Sequence, residues 1–332
     1  MRISILDQAP IARNETAREA LMNCVKLAQA GEGLGYTRYW IAEHHDLPGL
    51  ACSAPEVVLG YIGAQTNTIR IGPGAVLLPH YKPYKVAEVY NTLATLFPSR
   101  IDIGIGRAPG GSAEAANALS DNFLQQVWKM PELVRDLLHF LENDFQPGNE
   151  HAKLSASPLP EVPPEPWLLG TGSKSAILAA ENGLSYAFGQ FMSEKDGHEI
   201  TKQYRDGFKP RKEGDSPEVI LTVSAFCAET SEKAEEIALS SIIWSLSRGK
   251  GSGMKGLPSI EEAKNFILSQ EDKQELARMK EKLIIGNPEQ VKEKLLGLKS
   301  AYQPDEIMIV TITHSLADKI HSYKLIAEAL KP

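Results

Sequence analysis

Three segments of the chain concentrate the residue types that move protons or hold anions. They are Glu43-His44-His45-Asp46, Gly104-Ile105-Gly106-Arg107-Ala108-Pro109-Gly110-Gly111 and Leu169-Gly170-Thr171-Gly172-Ser173-Lys174-Ser175. Histidine gives or takes a proton near neutral pH, and a neighbouring carboxylate can fix its tautomer. The same four residues could also bind a metal, yet no partner motif such as HExxH supplies further ligands. His44 therefore keeps three readings: a cofactor or substrate contact, a metal ligand, or a packed structural histidine.

The second segment approaches the dinucleotide fingerprint GxGxxG but fails it, because Pro109 stands at the third glycine. Its glycines instead allow a ligand to approach the backbone closely, with Arg107 as the cation for an anionic group. An arginine in a surface ion pair is the plainer alternative. The third segment reads as the junction of a strand and a helix. Unpaired N–H groups there, with small hydroxyl side chains, suit a phosphate; a simple cap by Ser173 suits the pattern too. Gly72-Pro73-Gly74-Ala75 would leave room for a flat ring at a strand end, or merely allow close strand packing. No GxSxG elbow occurs, which argues against hydrolytic covalent catalysis.

These segments need a scaffold that brings strand ends together. Short apolar runs at residues 2–7, 39–42, 69–77, 101–105, 166–169, 184–188, 219–227 and 306–310 read as buried strands. Helical patterns fill residues 15–34, 54–66, 83–97, 122–141, 173–182, 194–207, 231–246, 288–298 and 316–330. Eight strands alternating with helices fit an α/β fold, a (β/α)8 barrel, better than an open sheet. The proline-rich residues 151–166 read as an extended connector into the fifth strand. Residues 245–282, with Arg248-Gly249-Lys250-Gly251-Ser252-Gly253, read as an insertion after helix seven, a lid or a surface loop.

The 332 residues carry a net charge of −7, which argues against nucleic acid or a membrane surface as partner. Three cysteines without a CxxC indicate neither a disulfide framework nor a zinc knuckle. The first residues lack a signal-peptide pattern, so a cytoplasmic setting is expected.

Taken in order and spacing, RYWIAEHH, IRIGPGAVLLPHYKPYKVAE, SRIDIGIGRAPGG and WLLGTGSKSA resemble the bacterial luciferase-like flavin monooxygenases, in particular single-chain members that emit no light. The likeness spans nearly the whole chain, 1–332, as one barrel domain. It implies a TIM-like barrel with an insertion after strand seven. It also implies a flavin ring over the strand ends, with a non-prolyl cis peptide at Gly74-Ala75 beneath it. Arg107 would contact the flavin, Gly172, Ser173 and Ser175 would hold its phosphate, and His44 would be catalytic. Gly106 stands where luciferase α chains carry a reactive cysteine, which speaks against luminescence.

The implied activity is a monooxygenase using reduced FMN and O2 on a small organic substrate, with a separate NAD(P)H:flavin reductase as partner. An F420-dependent hydride-transfer enzyme and a non-catalytic flavin-binding protein are the alternatives. A homodimer through the helices at 54–66 and 83–97 is a further implication of the resemblance, and no metal is expected.

Overall fold

The computed structural model describes residues 1–249 and 255–331. The Lys250-Gly251-Ser252-Gly253 part of the expected lid lies outside the described residues.

Among the described residues there are ten strands. They are β1 (Arg2–Asp7), β2 (Arg38–Ile41), β3 (Arg70–Pro73), β4 (Val76–Leu77), β5 (Asp102–Gly106), β6 (Glu165–Gly170), β7 (Ser185–Gly189), β8 (Val219–Cys227), β9 (Ile284–Gly286) and β10 (Glu306–Val310). The order β3-β2-β1-β10-β8-β7-β6-β5-β4 is parallel throughout, and an Ile71–Ile101 bridge draws the two ends together. The result is a nearly closed α/β barrel of the TIM type, as the alternation of strand and helix patterns predicts. The run at 69–77 is one strand of that ring in two pieces, parted by the cis Gly74–Ala75 peptide.

Inward side chains come in layers, because alternate residues of a strand face the same side. The N-terminal end of the ring is closed by charge. The buried Arg38 guanidinium donates to both oxygens of Glu306 at 2.9 and 3.1 Å and to Asp102 at 3.0 Å. Trp40 Nε1 also donates to Asp102, at 2.8 Å. Above this lie Trp40 and Trp167, edge to face at 5.8 Å, with Leu6, Ile220 and Met308. Two residues further along the same strands the inward positions are small: Ala42 after Trp40, and Gly106 after Gly104. Large side chains thus fill the middle of the barrel, and small ones leave space at its C-terminal mouth.

Several helices start on designed caps. Thr16 and Glu19 form a reciprocal capping box before Ala17–Leu34, and Asn287 with Gln290 does so before Pro288–Tyr302. The pattern at 122–141 is broken into Phe123–Trp128 and Met130–Glu142, preceded by Ala113–Leu119. Pro131 explains the break: a proline fits the first helical turn but cannot continue a helix from before it.

After β8 the chain builds a satellite layer. Helix Ser231–Gly249 packs with Ile260–Lys264 and Gln270–Glu281 around Ile237, Ile242, Ile243 and Ala263. The short β9 pairs with the far end of β8, Ala225 to Cys227. Leu257 then returns to the barrel rim, exchanging backbone hydrogen bonds with Ile11 and Arg13 at 2.9 Å.

Candidate active site

At the C-terminal mouth of the barrel lies a cavity of ≈ 410 Å³. Its size falls within the range of small-molecule sites. His44, Gly74, Ala75, Gly106, Arg107 and Ser175, drawn from four separate stretches of sequence, all line it. The carboxyl ends of parallel strands place them there, as the barrel architecture requires. Gln8, Thr171, Phe191 and Thr222 complete the wall from β1, β6, β7 and β8.

The floor is kept low by small residues. A Cβ on Gly106 would stand 2.9 Å from the Ala75 methyl, and one on Gly74 would stand 2.5 Å from Leu6. Larger side chains at either position would have to displace the opposite wall.

On one side stands His44. Its backbone N–H donates to Cys52 O at 2.9 Å, and its Nδ1 is buried without a partner. Burial above all, then the charges of Arg248 and His45, lowers its pKa to about 4, so the ring is neutral at pH 7. The Arg248 guanidinium reaches this region on the last turn of Ser231–Gly249, stacked over Trp244 at 4.9 Å. Trp244 in turn packs against Gly49, just beyond the histidine pair.

The carboxylate next in sequence does not orient His44. Glu43 turns to His45 Nε2 at 2.8 Å, to the Tyr81 hydroxyl at 2.7 Å and to the Leu77 N–H at 3.2 Å. This buried acid thereby ties the end of β2 to the segment that follows the cis peptide. Burial first, then the neighbouring Glu43 charge, holds the Tyr81 hydroxyl protonated by raising its pKa. His80, behind it, bonds Pro109 O at 2.9 Å and stacks on Phe123.

On the opposite side is the turn between β6 and helix Ser173–Glu181. Gly172 is the cap residue and makes no side-chain cap, so Ser173 is the first helical residue rather than the cap. The first N–H groups of a helix have no intrahelical acceptor and face outward as anion donors. Ser175 plays a different part from a free donor: its hydroxyl gives its proton to Gly172 O at 2.7 Å and lies 3.0 Å from the Tyr186 hydroxyl. It fastens the turn from within.

Two cations face this turn. Arg107 lines the cavity with no ion-pair partner among the described residues. Lys195, which no motif announces, brings its Nζ to within 3.3 Å of where a Cβ on Gly172 would stand. Its loop is fastened there by Ser193, whose hydroxyl donates to Thr171 O at 3.3 Å and accepts from Lys195 N at 3.1 Å.

The described residues contain no cluster of three or more His, Cys, Asp or Glu arranged for a metal. The three cysteines are buried.

A model of the luciferase-like monooxygenase family matches residues 1–302. The chain belongs to that family. The N-acetyl-S-alkylcysteine monooxygenase of Bacillus subtilis (strain 168) is 36% identical, over 99% of this chain and 98% of that protein. The crystal structure of apo-MsnO8 matches with a TM-score of 0.88 at 31% identity, covering 100% of this chain and 99% of its own. A more distant likeness is the oxygenating constituent of 3,6-diketocamphane monooxygenase from Pseudomonas putida, solved with FMN. It shares the fold at a TM-score of 0.73 and 20% identity, over 99% of this chain and 97% of that one.

Proposed function

We propose that this member of the luciferase-like monooxygenase family is a flavin-dependent monooxygenase. It would take reduced FMN from a separate NAD(P)H:flavin reductase and use O2 to oxidise a small organic substrate. The observation that carries the reading is one cavity with a low glycine and alanine floor, a neutral histidine on one side and an anion turn on the other. The relative solved with FMN supports the choice of cofactor.

The residues fit the group in three ways. The cavity of ≈ 410 Å³ is floored by Gly74, Ala75 and Gly106, where a Cβ on either glycine would press on Leu6 or Ala75, so the floor stays flat for a ring to lie on. The N–H groups of Ser173 and Lys174, with Arg107 and Lys195, supply donors and positive charge for a phosphate. The orphaned Nδ1 of His44 is a buried polar atom that gains a partner only from something inside the cavity or from the solvent within it.

When bound, reduced FMN supplies the electrons with which O2 is activated; the protein itself has no group for that step. The chain's own work is to bind, orient and keep dry. Arg107 and the turn anchor one end, and the apolar wall of Leu6, Leu169 and Phe191 excludes water from the other. His44, neutral at working pH, can take a proton on one ring nitrogen and give one from the other. Glu43 fixes the segment beneath the ring position from behind.

The test is a parallel titration of the protein with oxidised FMN, reduced FMN and F420, followed by NADH consumption in the presence of a reductase. FMN binding with oxygen-dependent, substrate-stimulated NADH consumption is expected. Binding of F420 alone would replace the reading with a hydride-transfer enzyme. Tight FMN binding without turnover of any substrate would leave a flavin carrier.

A further inference from the structure

Around the barrel, β10, β8 and β7 separate β1 from β6 on one side, and β2, the broken β3–β4 strand and β5 separate them on the other. The phosphate turn follows β6, so the rim beyond β1 stands directly across the mouth from it. Three segments are stitched together at that far rim. The Ile11 N–H donates to Gly49 O at 2.8 Å, the Ala51 N–H donates to Ala9 O at 2.9 Å, and Trp244 of helix Ser231–Gly249 packs on Gly49. From this corner we infer that the substrate is a small organic acid, its carboxylate held by Arg248 and its body lying in the cavity.

Gly49 makes the corner possible. Its φ is +97°, in the left-handed region, and a Cβ there would stand 3.0 Å from the buried Trp244 ring. The Arg248 guanidinium lies over that ring at 4.9 Å and is itself exposed. The ring attracts the charge through its π face and offers no lone pair, so the guanidinium N–H donors stay open. Arg248 has no ion-pair partner among the described residues. It faces the same space as His44, whose pKa is lowered first by burial and next by the Arg248 charge.

Neighbouring cations are already engaged. Arg13 donates to Glu262 at 2.8 Å, and Lys319 donates to the buried Asp7. Arg107 and Lys195 belong to the phosphate turn, on the opposite side. Between the two sides the cavity wall is mostly apolar, with Leu6, Ala42 and Phe191. Thr222, buried in that wall, makes no side-chain hydrogen bond to a described residue and is open to a ligand. A neutral apolar molecule would leave the guanidinium without a partner, and a cation would be repelled by it. A bare inorganic anion would not fill the apolar space. A carboxylate on a small apolar body meets all three conditions, and its two oxygens match two guanidinium N–H groups in geometry. One open cation suits its single charge.

What is oxidised rests on the proposed flavin site, but acid binding at Arg248 can be measured without flavin. Hexanoate and phenylacetate are titrated by calorimetry into the intact protein, free and FMN-saturated, beside their neutral amides hexanamide and phenylacetamide. Each acid should bind about 10-fold tighter than its amide, as one charge-assisted pair at an exposed arginine gives. Arg248→Gln should abolish that preference while FMN affinity and the melting midpoint stay unchanged, and Arg248→Lys should restore part of it. Arg107→Ala should do the reverse, weakening FMN and keeping the preference. The inference is overturned if neither acid binds at millimolar concentration, if acid and amide bind alike, or if the preference survives Arg248→Gln. Loss of the preference in Arg107→Ala would also overturn it, by placing the acid in the phosphate turn. An acid preference without any FMN binding would keep the Arg248 site and sink the flavin reading, whereas FMN binding without an acid preference would do the opposite.

Discussion

His44 carries a pH signature that its neighbours dictate. Its pKa in the fold, about 4, lies below the ordinary imidazole value of 6.5, chiefly because burial disfavours the charged ring. Between those two values the unfolded chain binds a proton that the native state refuses. Stability should therefore be complete above pH 6.5, fall as pH drops towards 4, and level off below it. The His44 contribution to that loss is on the order of 3 kcal/mol, and His44→Gln should remove it. Urea melts of both proteins at pH 7 and pH 4.5 check this: equal acid slopes would show that His44 is solvated in the fold. In turnover, His44→Ala should lower the rate by about 100-fold or more if the ring transfers a proton. Arg107→Ala is expected to weaken FMN about 10- to 100-fold, read by flavin fluorescence, with far less effect on riboflavin, which lacks the phosphate.

Not all of these residues could be found by reading along the chain. His44 and Arg107 stand in blocks whose order is specific, and Ser175 is visible as part of the turn. Its committed hydroxyl is not, because the Tyr186 that it meets lies on the next strand. Lys195 and Tyr81 were silent for the same reason. Lys195 reaches the site from a loop with no motif, and Tyr81, though inside a specific block, meets Glu43 only when the barrel closes.

Among the elements, the strands were the most legible, since a buried parallel strand is a short apolar run bounded by polar residues. The interruption at Gly74–Ala75 left no trace in that pattern, and β9, three residues long, is shorter than any periodic signal. What strand alternation does encode is the layering of the barrel interior: Arg38, Trp40 and Ala42 run inward from charge to bulk to space. The charged layer at the closed end makes its own prediction. Burial opposes the Arg38 charge, but Asp102 and Glu306 more than offset it and hold its pKa above the usual value. Removing the guanidinium alone leaves the fully buried Glu306 with only the Ser4 hydroxyl and a 3.8 Å contact to Arg2, while Asp102 keeps Arg70 and Trp40. Arg38→Met should cost about 3–5 kcal/mol, seen as a lower denaturation midpoint with FMN affinity little changed in the folded fraction. A loss below ~1 kcal/mol would mean that water reaches the barrel floor. Glu43→Gln is milder: it keeps the shape and loses part of a three-way acceptor, costing about 1–3 kcal/mol.

At the scale of the whole molecule, the outer surface raises the question of a partner copy. Among the described residues no helix is long and apolar enough to cross a membrane, so exposed apolar side chains need another account. Single ones are ordinary on any surface. Helix Pro55–Gln65 shows more than that: Val57 and Tyr61, 69% and 49% exposed, stand one turn apart on its outer face. Beside it, helix Pro83–Leu96 ends on Leu96, 62% exposed. The two helices are neighbours, since a Cβ on Gly60 would meet Leu93 at 3.8 Å, so the exposed side chains stand on adjacent helices. A patch on two adjacent helices suits a two-fold interface, in which the same surface serves both copies. Wild-type protein should run at the mass of a dimer in light scattering. Val57→Glu with Tyr61→Glu would place four uncompensated carboxylates at that interface and should yield a folded monomer that still binds FMN, because the patch lies outside the barrel mouth. A wild-type protein that stays monomeric at high micromolar concentration would show that the patch covers nothing, and a double variant that remains dimeric would move the interface elsewhere on the barrel.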